Sequence, residues 1–256
     1  MQAANTIRDA VARVSALRAI AAAQTGLLEA TRAIKHFQAL RFAGTYADLL
    51  ASPTYAGAAR FFLEELYSEK NYSQRDAQFS RIAGALQKFF PQQVVATAVV
   101  MAELHALTEE LDHQMALAWL AQVPQQVPTE GPMAKPAAQE IARYVQAWRS
   151  VERQVDRDLQ LSVVLQVGSE LDRLTRTPGL RMMLRLMRRP AEVAGLSALQ
   201  TFLESGFDTF ASMAGKGVVA QQFLATIHTR ESAWLAKLYG AAPSTCERDL
   251  AACLPK

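Results

Sequence analysis

The chain has 256 residues, of which 50% are hydrophobic and 20% are charged. These proportions are those of a folded globular protein and exclude an intrinsically disordered chain. The net charge of +3 is too small to indicate nucleic-acid binding by itself. The 12 glycines and 10 prolines are few beside the abundant Ala, Leu, Gln, Arg and Glu, which favours helices.

The N-terminus and the apolar runs bear on cellular location. Residues 1 to 9 lack a basic stretch followed by an apolar one, so no secretory signal is indicated. The longest uncharged runs, such as 89 to 102, have about fifteen residues, fewer than the roughly 20 that a transmembrane helix needs. Cys246 and Cys253 have no CxxC spacing, so we expect free thiols rather than a zinc site. A cytoplasmic protein without a transmembrane segment is predicted.

The 3.6-residue periodicity of helices runs through almost the whole chain, and sustained alternation of period two is not seen. In the first half, helices are predicted at residues 6 to 42 with a bend near Gly26, 53 to 67, 73 to 90 and 91 to 122. In the second half, they are predicted at residues 137 to 176, 178 to 189, 190 to 214 and 218 to 239, with a short one from 244. The predicted fold class is therefore all-α, a multi-helix bundle of eight to ten helices with no sheet.

Two stretches bear on domain organisation. Residues 123 to 136 contain four prolines and a glycine, which predicts a connector between two helical halves, 1 to 122 and 137 to 256. A single domain overall remains the alternative. The helix at 137 to 176 would be about 60 Å long, too long for a compact domain of this size. We therefore expect either a kink near Gly168 or a role in forming a homodimer.

Residues 103 to 113, which we call the polar centre, hold six ionisable side chains between two apolar runs of the fourth helix. On a helical wheel at about 100° per residue, His105, Glu109 and Asp112 form one stripe, with Asp112 nearest the apolar arc. His113 lies next to this stripe. Buried charge is costly unless it is paired, protonated or bound to a ligand, so these side chains are candidates for a site.

Metal binding is one interpretation of the polar centre. Glu110 and His113 have the ExxH spacing that ferritin-like bundles use to place two ligands on one helix face. Such a site needs a second ExxH and two further carboxylates, and the nearest complement, His228 with Glu231, has the reversed order. His36 in the first helix is a further candidate ligand, for a metal or for a haem.

Two other interpretations need no cofactor. His105 with Glu109 or Asp112 would suit general acid–base catalysis, although no nucleophile accompanies them in the sequence. The interpretation that we favour is structural: the acids pair with arginines of neighbouring helices. The available arginines are Arg75, Arg81 and those near residue 181.

A basic segment spans residues 173 to 190 and contains six arginines and no acid. Within it, a methionine-rich apolar helix carries arginines along one side and at its end. These surface candidates are Arg181, Arg185, Arg188 and Arg189. Such a helix suits a partner's groove, an anionic membrane or an anionic ligand, but its lack of aromatics argues against specific nucleic-acid binding. The interpretation that we favour is neutralisation of nearby acids such as Glu170, Asp172 and Glu192.

Four strings of the chain resemble one family. They are FFLEELY (61–67), QRD (74–76), LHALTEELD (104–112) and AGLSALQTFLESGFDTF (194–210). Together they resemble a family of uncharacterised, mostly proteobacterial helical proteins of about this length, over residues 35 to 235. The resemblance implies a bacterial, cytoplasmic all-α protein and carries no activity.

The sequence contains no GxGxxG, GxxxxGK[ST], HExxH or GxSxG motif. We therefore predict a non-enzymatic binding or regulatory protein that acts through a protein or small-ligand contact, and we predict no cofactor. The alternative is a metal- or haem-dependent helical redox enzyme or sensor that uses His105, Glu109, Asp112 and His113.

Overall fold

The computed structural model describes residues 2–65, 72–89, 92–122, 136–214 and 218–255. Within these ranges every regular element is an α-helix and no strand occurs, so the all-α prediction is confirmed there. The first helices are α1 (Gln2–Ala23), α2 (Leu27–Thr45), α3 (Ala47–Ala51), α4 (Ala56–Glu65), α5 (Ser73–Phe89) and α6 (Gln92–Ala121). The others are α7 (Ala138–Ser150), α8 (Gln154–Thr175), α9 (Leu180–Leu186), α10 (Arg188–Val193), α11 (Ser197–Ala214), α12 (Val219–Gly240) and α13 (Pro243–Cys253).

The described residues thus form 13 helices, more than the eight to ten predicted, because several long predicted helices are interrupted. At the predicted bend, Gly26 has φ 78° and separates α1 from α2. The helix predicted at 137 to 176 is interrupted by Glu152, which has φ 52° between α7 and α8. Gly168, where a kink was expected, lies inside α8, so the break between helices comes 16 residues earlier. A non-glycine residue in the left-handed region costs about 1–2 kcal/mol. No feature of the sequence marks Glu152 as the place of this break.

A third interruption separates α10 from α11. Gly195 has φ 66°, and its N–H donates to the Glu192 carbonyl at 2.9 Å. The N–H of Leu196 donates to the Ala191 carbonyl at 2.7 Å. These two bonds are the Schellman motif, which ends a helix at a left-handed glycine.

The chain divides into two compact units, each built from three segments. Unit 1 comprises Met1–Ala16, Lys70–Thr108 and Leu159–Thr229, and unit 2 comprises Leu17–Glu69, Glu109–Asp158 and Arg230–Lys256. These units differ from the predicted halves, 1 to 122 and 137 to 256, because α1, α6, α8 and α12 each contribute residues to both units. The predicted connector, 123 to 136, lies outside the described residues except for Pro136.

Unit 1 has two hydrophobic clusters. One joins α1, α5 and α6 largely through alanines, which allow close approach of helices, and consists of Ala4, Ile7, Ala10, Val14, Ala83, Ala102 and Ala106. The other joins α8, α9 and α11 and consists of Leu174, Leu180, Leu184 and Phe207. The second cluster fixes α9 on the unit through its two buried leucines.

Unit 2 has an aromatic core. Phe37 stacks on Tyr144 with ring centroids 4.9 Å apart and an interplanar angle of 13°. The ring centroid of Trp148 lies 6.0 Å from that of Tyr144 and 6.1 Å from that of Tyr239. Such aromatic pairs contribute about 0.5–1.5 kcal/mol each beyond the area that they bury. The core therefore connects α2, α7 and α12.

The close approach of α13 to α2 at Gly44 yields a stability prediction. A Cβ atom at this position would overlap the backbone carbonyl of Cys253, which cannot rotate away as a side chain can. We expect Gly44→Ala to lower the free energy of unfolding by about 1–3 kcal/mol, although alanine favours helices more than glycine does. Urea unfolding followed by circular dichroism measures the change.

Gly57→Ala is the matched control, because a Cβ there meets no atom within 4 Å. This variant is expected to be as stable as the wild type or more stable by up to about 1 kcal/mol. Equal stability of the Gly44→Ala variant and the wild type would contradict the close approach of the two helices.

Candidate functional site

The polar centre lies in α6, and two of its carboxylates are buried. Asp112 is 2% exposed and Glu109 is 8% exposed, which confirms the expectation that Asp112 lies nearest the core. His105 and His113 are half-buried, whereas Glu103 is exposed. Two carboxylates are thus removed from water, and each needs compensating partners.

Partners for both carboxylates come from α2. Lys35 Nζ donates to Glu109 Oε1 at 2.6 Å, and Gln38 Nε2 donates to Asp112 Oδ1 at 2.8 Å. Residues three apart lie on the same face of a helix, so the 35/38 spacing on α2 matches the 109/112 spacing on α6. Arg18 Nη2 lies 3.9 Å from Glu109 Oε1 and adds a second positive charge.

Arg157 supplies a positive charge near Asp112. Its Nη2 lies 3.8 Å from Asp112 Oδ1, and its guanidinium lies over the Trp148 ring, 4.4 Å from the centroid. Burial raises the pKa of Asp112, and the positive charges of Lys35 and Arg157 oppose this rise without cancelling it. The Asp112 carboxyl therefore binds a proton more readily than an exposed aspartate does.

The third polar residue on the same face of α2 is Arg41, which binds Glu231 of α12. Arg41 Nη1 and Nη2 donate to the two carboxylate oxygens at 3.0 and 2.8 Å. The Tyr46 hydroxyl donates to Glu231 Oε1 at 3.0 Å. Both charged residues are buried, and two parallel bonds are the strongest geometry for such a pair. Glu231, which the sequence offered as a metal ligand, is thus bound by arginine and tyrosine.

Together these side chains form a buried charge network within unit 2. Its members are Lys35, Gln38, Arg41, Tyr46, Glu109, Asp112, Arg157 and Glu231. Three cations of this set face three carboxylates, and Arg18 adds a fourth positive charge beside Glu109. Pairs of this kind add little net stability, but removal of one partner leaves an uncompensated buried charge.

Tyr144 lies beside the network. It is fully buried, and burial raises its pKa to about 12, with smaller opposing effects of Arg41 and Arg157. Its hydroxyl has no hydrogen-bond partner among the described residues. Tyr144 is therefore a neutral side chain at physiological pH and contributes packing and a dipole rather than a charge.

His105 has a different partner in unit 1. Its Nε2 lies 3.0 Å from Asp76 Oδ2, and Asp76 is 4% exposed. Arg75 Nε lies 3.7 Å from Asp76 Oδ1. The imidazole is therefore oriented by a buried carboxylate, as structural and catalytic histidines both are.

The other predicted ligands are spread over three helices. His36 is half-buried on α2, His113 is half-buried on α6 and His228 is exposed on α12. In the part of the chain that the structure describes, no group of three or more His, Cys, Asp or Glu side chains is arranged to hold a metal ion. Metal and haem binding by these residues stay predictions.

Sequence reasoning identified the chemistry of the polar centre but not its partners. The expectation that the acids pair with arginines is confirmed in part. Arg18 lies 3.9 Å from Glu109 and Arg157 lies 3.8 Å from Asp112, but the closest partners are Lys35 and Gln38, and the two arginines named from the sequence bind elsewhere. Arg75 lies near Asp76, and Arg81 donates to the Gly195 carbonyl at 2.8 Å. The partners on α2 occur at positions 35, 38 and 41, on one helix face, but a solvated helix face has the same pattern.

The basic segment forms a second candidate site, on unit 1. Arg188 Nε donates to Glu204 Oε1 at 2.7 Å, and this bond lowers the pKa of Glu204. Arg181 Nη2 lies 2.8 Å from Asp208 Oδ1. These acids belong to α11 and were not among the predicted neighbours. The expected neutralisation is confirmed for two acids at the start of the segment, where Arg173 pairs with Glu170 and Arg176 with Asp172.

Large apolar side chains are exposed next to these arginines. Met182 is 60% exposed, Leu186 is 69% exposed and Val193 is 90% exposed. We call this region the α9–α10 surface; its members are Met182, Leu186, Met187, Val193, Arg181, Arg185, Arg188 and Arg189. Val193 and the outward direction of the apolar side chains were not predicted from the sequence.

The raised pKa of Asp112 predicts a pH dependence of stability. Because the folded state holds this proton more tightly than the unfolded state, the contribution of Asp112 to stability is full below the ordinary pKa of 3.8 and is lost as the pH rises through the folded-state pKa. Asp112→Asn removes this contribution. We expect the wild type to gain stability relative to the variant as the pH falls from neutrality toward 3.8, measured by urea unfolding at a series of pH values.

Asp48→Asn is the control with the opposite sign. The hydrogen bond from Arg230 lowers the pKa of Asp48, so its contribution is present above the ordinary pKa and is lost on acidification. The wild type should therefore lose stability relative to this variant at low pH. The raised pKa of Asp112 would be contradicted if the wild type lost stability relative to the Asp112→Asn variant on acidification, as it is expected to do relative to the control variant.

The Arg41–Glu231 pair predicts a mutational cycle. Arg41→Met leaves a buried carboxylate without its bidentate partner, and we expect a loss of about 3–5 kcal/mol in the free energy of unfolding. Adding Glu231→Leu removes the orphaned charge and should restore most of the lost stability. The exposed Arg60 provides the control, since Arg60→Met is expected to change stability by less than about 0.5 kcal/mol. The pairing would be contradicted if the double variant lost as much stability as the Arg41→Met and Glu231→Leu single variants lose together.

Comparison with known proteins places the chain in a family. Residues 17–245 match the family model described as Domain of unknown function (DUF8198). This range contains the polar centre, the buried charge network and the α9–α10 surface. No curated protein and no solved structure matches the chain. Since the matched residues make up well over half of its length, the chain belongs to the DUF8198 family, a domain of unknown function.

Proposed function

We propose that the protein is a non-enzymatic binding protein that acts through the α9–α10 surface. The observation that carries this proposal is the exposure of Met182, Leu186 and Val193 beside a group of arginines. Single exposed apolar residues are ordinary, but several on adjoining helix turns typically mark an interaction site. Arginine and methionine are both enriched at such sites.

The anchoring of α9 and α10 supports the proposal. Leu180, Leu184 and Ala191 are buried, so one side of this short segment is packed against unit 1. The pairs of Arg181 with Asp208 and Arg188 with Glu204 hold its flank to α11. The exposed apolar side chains are therefore presented by an ordered backbone, which lowers the entropy lost when a partner binds.

The buried charge network supports the non-enzymatic part of the proposal. Glu109, Asp112 and Glu231 each have a lysine, glutamine or arginine partner within the protein. Packing of the helices thus accounts for the burial of these acids without a substrate. In the proposed function, unit 2 gains its internal order from these pairs, and recognition takes place on unit 1.

Site-specific photo-crosslinking in the cells that produce the protein tests the proposal. A photoreactive phenylalanine analogue replaces Met182, Leu186 or Val193 in three separate variants. We expect adducts at these positions, because a bound partner would cover their side chains. Val155 is the matched control, since it is 81% exposed and belongs to another helix.

Adducts as strong from the Val155 position as from the three surface positions would contradict the proposal, as would the absence of any adduct, to protein or to lipid, from all of them. Elemental analysis and a visible spectrum of the purified protein test the non-enzymatic part. Stoichiometric iron or manganese, or a Soret band, would overturn it in favour of the redox or sensor alternative.

A further inference from the structure

We infer that the α9–α10 surface binds the anionic surface of a lipid membrane. This inference rests on the proposed function and names the partner class of the same surface. It is carried by the juxtaposition of exposed apolar side chains with arginines on two short helices.

The apolar side chains have the placement that shallow insertion requires. Within α10, Val193 lies about 160° from the buried Ala191, at about 100° per residue. Within α9, Met182 and Leu186 lie about 40° apart, and the buried residues Leu180 and Leu184 lie on the opposite side. The exposed apolar side chains of the two helices, which we call the apolar arc, therefore point away from unit 1 and protrude from its surface. An acyl-chain boundary is fluid and receives protruding side chains without a preformed groove.

The arginines have the placement that headgroup contact requires. Arg185 and Arg189 are exposed and border the apolar arc, so their aliphatic stems can lie along apolar groups while the guanidinium reaches the phosphates. Arg181 and Arg188 pair with acids of α11 but keep side-chain exposures of 52% and 58%. A guanidinium has five donors, and such exposed groups retain donors for phosphate oxygens.

Charge complementarity favours a membrane over a second copy of the chain. From residue 181 to residue 193 the segment has four arginines and one acid, Glu192. With Glu204 and Asp208 of α11, which pair with Arg188 and Arg181, three acids face four arginines, and the net charge of the surface stays positive. A two-fold symmetric contact would place this basic surface against itself, whereas anionic lipids carry the opposite charge. No helix in the described ranges is long and apolar enough to cross a membrane, so the inferred contact is peripheral.

Co-sedimentation of the full chain with vesicles tests the inference. The vesicles contain phosphatidylcholine alone or equal parts of phosphatidylcholine and phosphatidylserine. We expect binding to the anionic vesicles alone, weakened by added salt because screening shortens the reach of exposed charges. Arg185→Ser with Arg189→Ser should weaken binding about 30-fold, and Leu186→Ser with Val193→Ser should weaken it at least about tenfold.

Matched variants separate this surface from general charge and hydrophobicity. Arg13→Ser with Arg60→Ser removes two exposed arginines elsewhere, and Val155→Ser removes an exposed apolar side chain of another helix. Both are expected to bind as the wild type does. Circular dichroism and thermal unfolding confirm that each variant is folded.

Three results would overturn the inference. One is no binding of the wild type to anionic vesicles, and another is equal loss of binding in the control variants. The third is self-association of the wild type, seen by light scattering and abolished by Leu186→Ser, which would assign the surface to a homodimer. Crosslinked protein adducts without vesicle binding would overturn the membrane inference alone, whereas the absence of both would overturn the proposed function as well.

Discussion

The pairing of buried polar residues on α2 with carboxylates of α6 and α12 is the interaction on which unit 2 depends. Removal of an ion from water costs several kcal/mol even after relaxation, so none of these charges is stable in the interior without its partner. Lys35, Gln38 and Arg41 lie on one face of α2 and meet their partners simultaneously. The three helices are therefore fixed in register by electrostatics as well as by the packing of the aromatic core.

This dependence explains what could be predicted from the sequence. The all-α class and the burial of Asp112 follow from periodicity, which is a local property of the chain. The partner of Asp112 is Gln38, 74 positions away, and the partner of Glu231 is Arg41, 190 positions away. Nothing local distinguishes these partners from a solvated helix face, so they could not be identified without the structure.

The breaks between helices also divide into those with a local signal in the sequence and those without one. Gly26 was predicted as a bend because glycine tolerates positive φ at low cost. Glu152 also has a positive φ, but glutamate rarely adopts this conformation, so the break there was not predicted. Likewise, α9 and α10 have 7 and 6 residues, fewer than two turns each. Periodicity over so short a segment does not define which side faces the core, so the exposure of Leu186 and Val193 was missed.

The same residue type has different energetics at the two sites. Arg41 is buried, and its two bonds to Glu231 cannot be exchanged for water without unfolding the surroundings. Arg181 and Arg188 bind their acids at exposed positions, where an ion pair is worth only about 0–1 kcal/mol. These guanidiniums can exchange a carboxylate for a phosphate at little cost in stability. Arginine is thus held firmly to its acid in the interior of unit 2 and remains available for recognition on unit 1, because burial and not residue type determines how firmly each pair is held.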